Sequence, residues 1–292
     1  MHRPTFSIIT PTYNRAYVLW KLIQGIQHQT FTNWEFLIVD DGSTDDTNKL
    51  IAEFQGDERI KYIVQKNQGP SAARNTGLSH SQGHIIVYMD SDDEPYKHFL
   101  STIYSFLNRD EKKSFGVCNH NRSIELLGPN FKTISHKVDS ATQNHSVTLQ
   151  HFYNWEIKTT GSGLFHRRDK FFNKIEWKKD IYIEDLEFIM QLAMLDEEGF
   201  LHITQSLFHY RQKYGGDGLC SKANYLNYAH AFGQIYEWHK NDPLMKKPEV
   251  YLDRVKKYQE QHRKYLLGEE IPPIYKYFPE QNSNVRVESP YP

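Results

Sequence analysis

His84-Ile85-Ile86-Val87-Tyr88-Met89-Asp90-Ser91-Asp92-Asp93 is the stretch on which the fold turns. An apolar run of strand length, without polar alternation, stops abruptly in three carboxylates. A run of this kind fits a strand buried on both faces. Three similar runs precede it. Phe6-Ser7-Ile8-Ile9-Thr10 is stopped by Pro11, Trp34 to Val39 ends in Asp40-Asp41-Gly42-Ser43, and Ile60 to Val64 is the third. Between them the period changes. Val18, Leu19, Leu22, Ile23 and Ile26 predict a helix over 16–28. Thr44 or Asp45 caps a helix to about Phe54, and Gly69-Pro70 opens a small-residue helix over 71–79. Pro95 is expected to begin a further helix reaching about Leu107.

Four strand–helix alternations predict an α/β fold, a mainly parallel sheet flanked by helices. In such sheets ligands bind outside the carboxyl ends of the strands. Here those ends carry Pro11-Thr12-Tyr13-Asn14-Arg15, Asp40-Asp41-Gly42-Ser43 and Asp90-Ser91-Asp92-Asp93. Alternate residues of an extended segment point the same way, so Asp90 and Asp92 can face one pocket. Two carboxylates suit Mg2+ or Mn2+; the other reading is a surface turn with a helix cap at Asp93. Asp40-Asp41-Gly42-Ser43 reads as turn and capping chemistry, or as a carboxylate placed to accept bonds from a base or ribose. Arg74, near a helix start, either clamps a phosphate or reaches solvent.

The 292 residues hold 35 Lys+Arg against 36 Asp+Glu, a formal charge of −1. That balance argues against a nucleic-acid partner, which calls for a basic excess. Cys118 and Cys220 can build neither a disulfide framework nor a Cys-x-x-Cys site. No apolar run approaches the roughly 18–20 residues of a membrane span, and the amino-terminal residues lack a signal peptide's apolar segment. A cytoplasmic, soluble protein is expected, with a peripheral position at the inner membrane face left open.

Four stretches then carry a family resemblance. Ser7 to Arg15, Val39-Asp40-Asp41-Gly42-Ser43-Thr44-Asp45, Asn67 to Gly77, and Met89-Asp90-Ser91-Asp92-Asp93 resemble, in order and spacing, the motifs of the family 2 glycosyltransferases. These are inverting, nucleotide-sugar-dependent enzymes with the Rossmann-like GT-A fold. The likeness is close over residues 5 to 110 and continues more loosely to about 215. It implies that Pro11, Tyr13 and Arg15 hold the nucleotide and that Asp41 reads the base, usually uracil. Arg74 is implied as a diphosphate or base contact. Asp90 and Asp92 form the D-x-D element, with Asp92 the direct metal ligand, and Asp93 touches sugar or metal. The implied donor is a UDP-sugar, the cofactor Mn2+ or Mg2+, and the acceptor a glycan, lipid-linked or protein-linked hydroxyl.

Ile183-Glu184-Asp185-Leu186-Glu187 resembles the family's E-D element. An inverting transfer needs a carboxylate to take the acceptor's proton; by the resemblance Asp185 is that base and Glu184 a supporting acid. Without the resemblance, acids in a first helical turn are ordinary capping chemistry. Gly161-Ser162-Gly163 reads as an acceptor-side loop or a plain turn into a strand. Trp155, Trp177 and Tyr182 are expected in the core more than as sugar platforms. Phe208 to Gly218 departs from the family's Y-R-x-H-like stretch, since Tyr210-Arg211-Gln212-Lys213 has no histidine in that place. Arg211 or Lys213 is expected to neutralise the departing diphosphate, under a loop closed by Gly215, Gly216 and Gly218. His209 is either a third metal ligand or a buried strand histidine.

The later elements read as strands over 114–120 and 131–138, a short helix over 146–155, and a helix from Glu184 to Leu195. That helix puts Leu186, Ile189, Met190, Ala193 and Met194 on its apolar side. Short strands over 200–203 and 207–210 and amphipathic helices over 221–240 and 249–267 follow. The division is a nucleotide-sugar-binding half (1–112), an acceptor and catalytic-base half (113–219), carboxy-terminal helices (220–267) and an extended tail (268–292). Tyr225, Tyr228, Ala229, Phe232, Ile235 and Tyr236 either cover the catalytic unit or pair subunits into a homo-oligomer. Helix 249–267 mixes Lys and Arg with Tyr and Leu, as a membrane-surface helix would, but its acids favour a solvated face. The alternative function is a catalytically silent nucleotide-sugar-binding or assembly subunit.

Overall fold

The computed structural model describes residues 3–126, 133–136, 148–153, 160–214, 225–243, 245, 247–267, 269 and 286–287. The first four strands are β1 (Phe6–Thr12), β2 (Trp34–Asp40), β3 (Ile60–Val64) and β4 (Ile85–Tyr88). They are joined by α1 (Ala16–Gln27), α2 (Thr47–Ala52) and α3 (Pro70–His80). β1 lies between β2 and β4, and β3 flanks β2, all parallel. The chain thus builds outward from β1 in one direction and returns to its other side. The carboxyl ends of β1 and β4 form the switch point where such sheets bind ligands.

Alternation along these strands sends side chains into two cores. Ile8, Ile38 and Val87 enter one with Leu19, Leu22 and Phe99; Ile9, Leu37 and Ile86 enter the other with Leu78, Trp177 and Phe188. α3 lies very close to the sheet because its inner residues are small. A β-carbon on Gly77 would fall 2.4 Å from Ile9 Cγ2.

Glu94–Pro95 is not the helix start expected of it. It forms β5, paired antiparallel with Phe208 and His209, and the Tyr96 N–H continues the ladder to the Leu207 carbonyl at 2.9 Å. Proline has no N–H to lose in an edge pairing, so the helix begins later, as α4 (Phe99–Arg109).

The second half adds β6 (Phe115–Leu126), β7 (Thr133–His136), α5 (Leu149–Tyr153), β8 (Leu164–Arg167), α6 (Arg168–Phe171), α7 (Glu184–Leu195) and β9 (Phe200–Tyr214). β8 runs antiparallel to β4 and β6 and carries the sheet into this half. β9 is one strand where two short ones were expected. It follows β6 in parallel, with register shifts around Asn119. Asn119 covers the irregularity: its Nδ2–H reaches the Thr204 carbonyl at 2.8 Å, and its Oδ1 lies 2.9 Å from His202 Nε2. The polar Thr204-Gln205 break in the sequence marks this bulge rather than a strand end.

α8 (Tyr225–His239) and α9 (Glu249–Leu266) complete the fold with β10 (Arg286–Val287), which pairs with β7 inside the segment expected to be a tail. Tyr225, Tyr228, Ala229, Phe232 and Ile235 join the same core as α7, together with Tyr251 and Tyr258. The apolar face of α8 is therefore covered by the chain itself. On α7, Met194 is exposed, while Phe188 and Leu192 are buried beside Leu186 and Ile189. No helix among the described residues is long and apolar enough to cross a membrane.

Candidate active site

The first loop and the Asp40–Asp45 turn are laced together at the switch point. Asn14 takes a left-handed φ of 53°, which asparagine tolerates better than most residues. Its Oδ1 accepts the Thr44 N–H at 2.7 Å and the Asp45 N–H at 3.2 Å. Asp45 in turn accepts the Ala16 N–H at 3.0 Å, at the first residue of α1. Tyr13 projects to solvent. Pro11 pairs in register with Val39.

Asp41 is buried, and protein donors already occupy it. Its Oδ1 accepts from Gln65 Nε2 at 2.7 Å and the Gln68 N–H at 2.9 Å, and its Oδ2 from the Gly69 N–H at 2.7 Å. A carboxylate offers about four acceptor directions, so three are filled and one is left for a further donor. Asp41 shapes the loop that enters α3. Asp40 is similarly engaged, by the Ser43 N–H at 2.7 Å and the Tyr62 hydroxyl at 2.5 Å.

The three acids after β4 have separate surroundings. Asp90 and Asp92 are partly exposed; Asp93 is buried. The Asp90 N–H donates to Ser162 Oγ at 2.7 Å, and the Ser162 hydroxyl donates to Asp93 Oδ2. Asp93 Oδ1 accepts the Arg211 N–H at 3.1 Å. Burial, then the charges of Asp92 and Asp90, push the Asp93 carboxyl well above its ordinary range. Asp93 therefore ties together the acid turn, the Gly161–Gly163 loop and β9. Arg15 lies 3.9 Å from Asp92 and also donates to the Tyr17 hydroxyl at 2.6 Å.

Arg74 occupies the centre. The residue is 4% exposed. Nη2 donates to Asp90 Oδ1 at 2.8 Å and Nη1 to Glu184 Oε1 at 3.0 Å. The Trp177 ring covers it, 4.4 Å from the guanidinium carbon. Burial alone would lower its pKa, but Asp90 and Glu184 outweigh that and hold it above the ordinary value. Burial raises Glu184; Arg74 opposes the rise and Asp185 adds to it, for a net upward shift. Asp185 sits in the first turn of α7, where its Oδ1 accepts the Leu186 N–H at 2.9 Å.

Arg74, Asp90 and Glu184 are thus brought together; Asp185 follows Glu184 in the first turn of α7, Asp92 and Asp93 share the acid turn with Asp90, and Arg15 lies beside Asp92. Other expected residues are placed differently. The Arg211 guanidinium pairs with Glu94 at 2.6 Å. His209 lies in β9 opposite Glu94, and among the described residues no three His, Cys, Asp or Glu side chains gather into a metal-holding group. Lys213 stands in register with Glu125; its side chain, Trp155 and the glycines at 215, 216 and 218 lie outside the described residues. Trp177 is core, stacked on Phe188 at 4.2 Å, and Tyr182 packs on Tyr228 at 4.8 Å.

Asp90 and Asp92 alone still fit a divalent ion of the Mg2+ or Mn2+ type. Such ions are commonly held by one or two carboxylates with substrate phosphates and water, and both side chains reach solvent. Sequence reading names Ser162 within the Gly161–Gly163 loop and Trp177 as core and gives Asn75 no role; it misses the bonds these three make at the site. A hydroxyl between two glycines at a strand entrance was the available signal for Ser162; nothing local marked the partners of the other two.

Comparison with known proteins agrees with this geometry. A model described as glycosyl transferase family 2 matches residues 7–176, more than half of the chain. A Campylobacter jejuni GalNAc(5)-diNAcBac-PP-undecaprenol beta-1,3-glucosyltransferase is 39% identical over 118 residues, 39% of this chain and 38% of that protein. The chain thus spans well under half of that relative's length. Staphylococcus aureus TarS 1-349 in complex with UDP-GlcNAc superposes with a TM-score of 0.61 at 16% identity, covering 99% of this chain and 98% of that one. The Pyrobaculum calidifontis mannosyltransferase PcManGT, in complex with GDP-Man and Mn2+, gives 0.63 at 17% identity, over 94% and 79%. The structural likenesses carry the fold, which is GT-A. The sequence motifs, the sheet and the family match converge on one assignment: the chain belongs to glycosyl transferase family 2.

Proposed function

We propose that this protein is an inverting glycosyltransferase that moves a sugar from a nucleoside diphosphate donor, a UDP-sugar, to an acceptor hydroxyl. The observation that supports this most is the meeting of two carboxylate pairs. Arg74 bonds Asp90 at the switch point and Glu184 on α7, and Asp92 and Asp185 stand close to these two acids along the chain. In this reading Pro11, Tyr13 and Arg15 hold the nucleotide. Asp41 acts on it through the 65–69 loop that its carboxylate orders.

Asp185 takes the proton of the acceptor hydroxyl as the oxygen attacks the anomeric carbon. The bond from that carbon to the diphosphate oxygen breaks, its electron pair leaves with the diphosphate, and the new bond forms on the opposite face. Asp90 and Asp92 would hold Mn2+ or Mg2+, whose chemistry here is charge neutralisation of the leaving diphosphate. Lys213 is a further cation for that charge. His209 is dispensable in this reading, because two carboxylates and the donor phosphates suffice as ligands. A lipid-linked glycan is the acceptor class placed first, on the activity named for the Campylobacter relative.

The test is a UDP-sugar panel, scored for hydrolysis with and without Mn2+, on the wild type and Asp185→Asn. Wild-type turnover that needs the metal and is lost in the variant, with UDP affinity kept, is the expected result. Full turnover by Asp185→Asn would remove the base assignment, and a wild type inert to every donor would favour a silent binding subunit.

A further inference from the structure

We infer that Arg74 is a positioning residue that fastens the acceptor-side carboxylate pair to the donor-side pair, rather than a ligand of the donor diphosphate. The inference rests on the transferase reading above and contradicts the role that resemblance alone gives this arginine.

The guanidinium has little surface left for a phosphate. Nη2 is spent on Asp90 and Nη1 on Glu184, at 2.8 and 3.0 Å. Nε is buried with no partner among the described residues. Trp177 covers the planar group at 4.4 Å. Gly161 closes on the Nη2 end so tightly that a β-carbon there would stand 2.7 Å from the nitrogen. An arginine binding a diphosphate presents its fork to the ligand; this fork is filled by two carboxylates of its own chain.

The neighbouring residue does parallel work. Asn75 Nδ2 donates to the Trp177 carbonyl at 2.9 Å, and the Trp177 N–H donates to Asn75 Oδ1 at 2.8 Å. Two consecutive residues of α3 therefore hold the acceptor-side segment at two points, Trp177 and Glu184. α3 is a firm reference, because Gly77 sets it directly against Ile9 of β1. Asp185 follows Glu184 on the same helical turn, so its position relative to Asp90 is set through Arg74. The positive charge also opposes the upward push of burial and of Asp185 on Glu184 and favours its ionised form.

The experiment uses Arg74→Lys, Arg74→Gln and Asn75→Ala in the full chain. UDP affinity with Mn2+ is measured by calorimetry. kcat, KM and the pH–rate profile are measured with the UDP-sugar that the wild type hydrolyses fastest. Lysine keeps the charge but cannot bridge two carboxylates. Arg74→Lys should leave UDP affinity little changed and lower kcat by about 100-fold, the scale of an ångström's misplacement. Arg74→Gln should in addition move the acid limb of the profile to higher pH, since Glu184 loses the cation that opposes its upward shift. Asn75→Ala cannot touch a diphosphate and should also lower kcat without weakening UDP; it carries the test if the Arg74 variants fail to fold.

UDP affinity reduced by about tenfold or more in Arg74→Lys, with kcat kept, would make Arg74 a donor ligand and overturn the inference. A fall in melting temperature alone, with kcat and the acid limb unmoved, would reduce Arg74 to a structural residue and overturn it equally. Activity in Asp185→Asn would instead bring down the transferase reading itself, so the two failures are separable.

Discussion

Gly161→Ala places one methyl group into the centre of the site. The new carbon would lie 2.7 Å from Arg74 Nη2 and 3.1 Å from each Asp90 carboxylate oxygen, where ordinary contact begins at 3.4 Å. Relief needs a displacement of about 0.7 Å at the nitrogen. Arg74 cannot swing away cheaply, because Trp177 covers it and Glu184 holds its other nitrogen. The Arg74–Asp90 bond of 2.8 Å is the contact that gives way. A charge-assisted hydrogen bond is worth about 1.5–3 kcal/mol. Replacing glycine where φ is permissive returns about 0.4–1 kcal/mol through the unfolded chain. The net cost is then about 1–2 kcal/mol, a fall in melting temperature of about 2–8 °C for a domain of this size. Scanning fluorimetry without ligand measures it, beside Gly56→Ala, an exposed glycine whose added carbon meets nothing within 4 Å. The control should match or slightly exceed wild type. If Gly161→Ala melts no lower than Gly56→Ala, the packed Arg74–Asp90 contact is not as described and the reasoning fails.

Asp93 makes a pH-dependent prediction. Its folded-state pKa is raised from 3.8, by burial first and then by Asp92 and Asp90, so its stability contribution is largest in acid and is lost as pH rises through the folded value. In chelator, the stability of Asp93→Asn, read by denaturant unfolding, should therefore gain on wild type as pH increases from about 4. The gain should be about 1.4 kcal/mol per pH unit until the buried carboxyl ionises; a constant difference across pH would sink the idea. Asp92→Asn should reduce the Mn2+-dependent part of UDP binding by about tenfold or more while leaving metal-free binding nearly unchanged, and equal loss in both conditions would remove Asp92 as a metal ligand.

The parallel half of the fold was legible because each strand there is rich in apolar residues and stops abruptly, so composition alone betrays it: all seven residues of β2 are buried. Two strand ends were equally plain, since Asp40 closes β2 and Asp90 follows β4 closely; Pro11 was not one, because β1 runs through it to Thr12 in register with β2. β5 was not legible. A two-residue strand has no period, and Glu94–Pro95 is held by a partner more than a hundred residues away in sequence. The same separation hid the bonds that define the site. Asp90, Glu184 and Arg74 each announce themselves as charged residues at element ends, but nothing local says which carboxylate the arginine will take. Asn75 gave no signal, because a side chain bonded to a distant backbone looks like any other asparagine; Trp177 read correctly as core, but a tryptophan that also covers an arginine looks like any core aromatic. Arg211 was recognised as an available cation, whereas its allegiance to Glu94 depends on the pairing of β5 with β9.

The charge arrangement narrows how a diphosphate can be received. Around the switch point stand Asp90, Asp92, Asp93, Glu184 and Asp185. The arginines that face them are already engaged: Arg74 with Asp90 and Glu184, Arg15 beside Asp92, and Arg211 with Glu94. Protonation of Asp93, which its raised pKa favours, removes one negative charge without making the site positive. A nucleoside diphosphate drawn onto Arg74 would have to break buried ion pairs, and removing a partner from such a pair costs about 3–5 kcal/mol. Positive charge that arrives with the donor avoids that loss, and a divalent ion on Asp90 and Asp92 meets carboxylates that need it. On the transferase reading proposed above, the near-neutral chain is no obstacle to an anionic substrate: Arg74 holds Asp90 and Glu184 in place, and an ion arriving with the donor would supply the attraction.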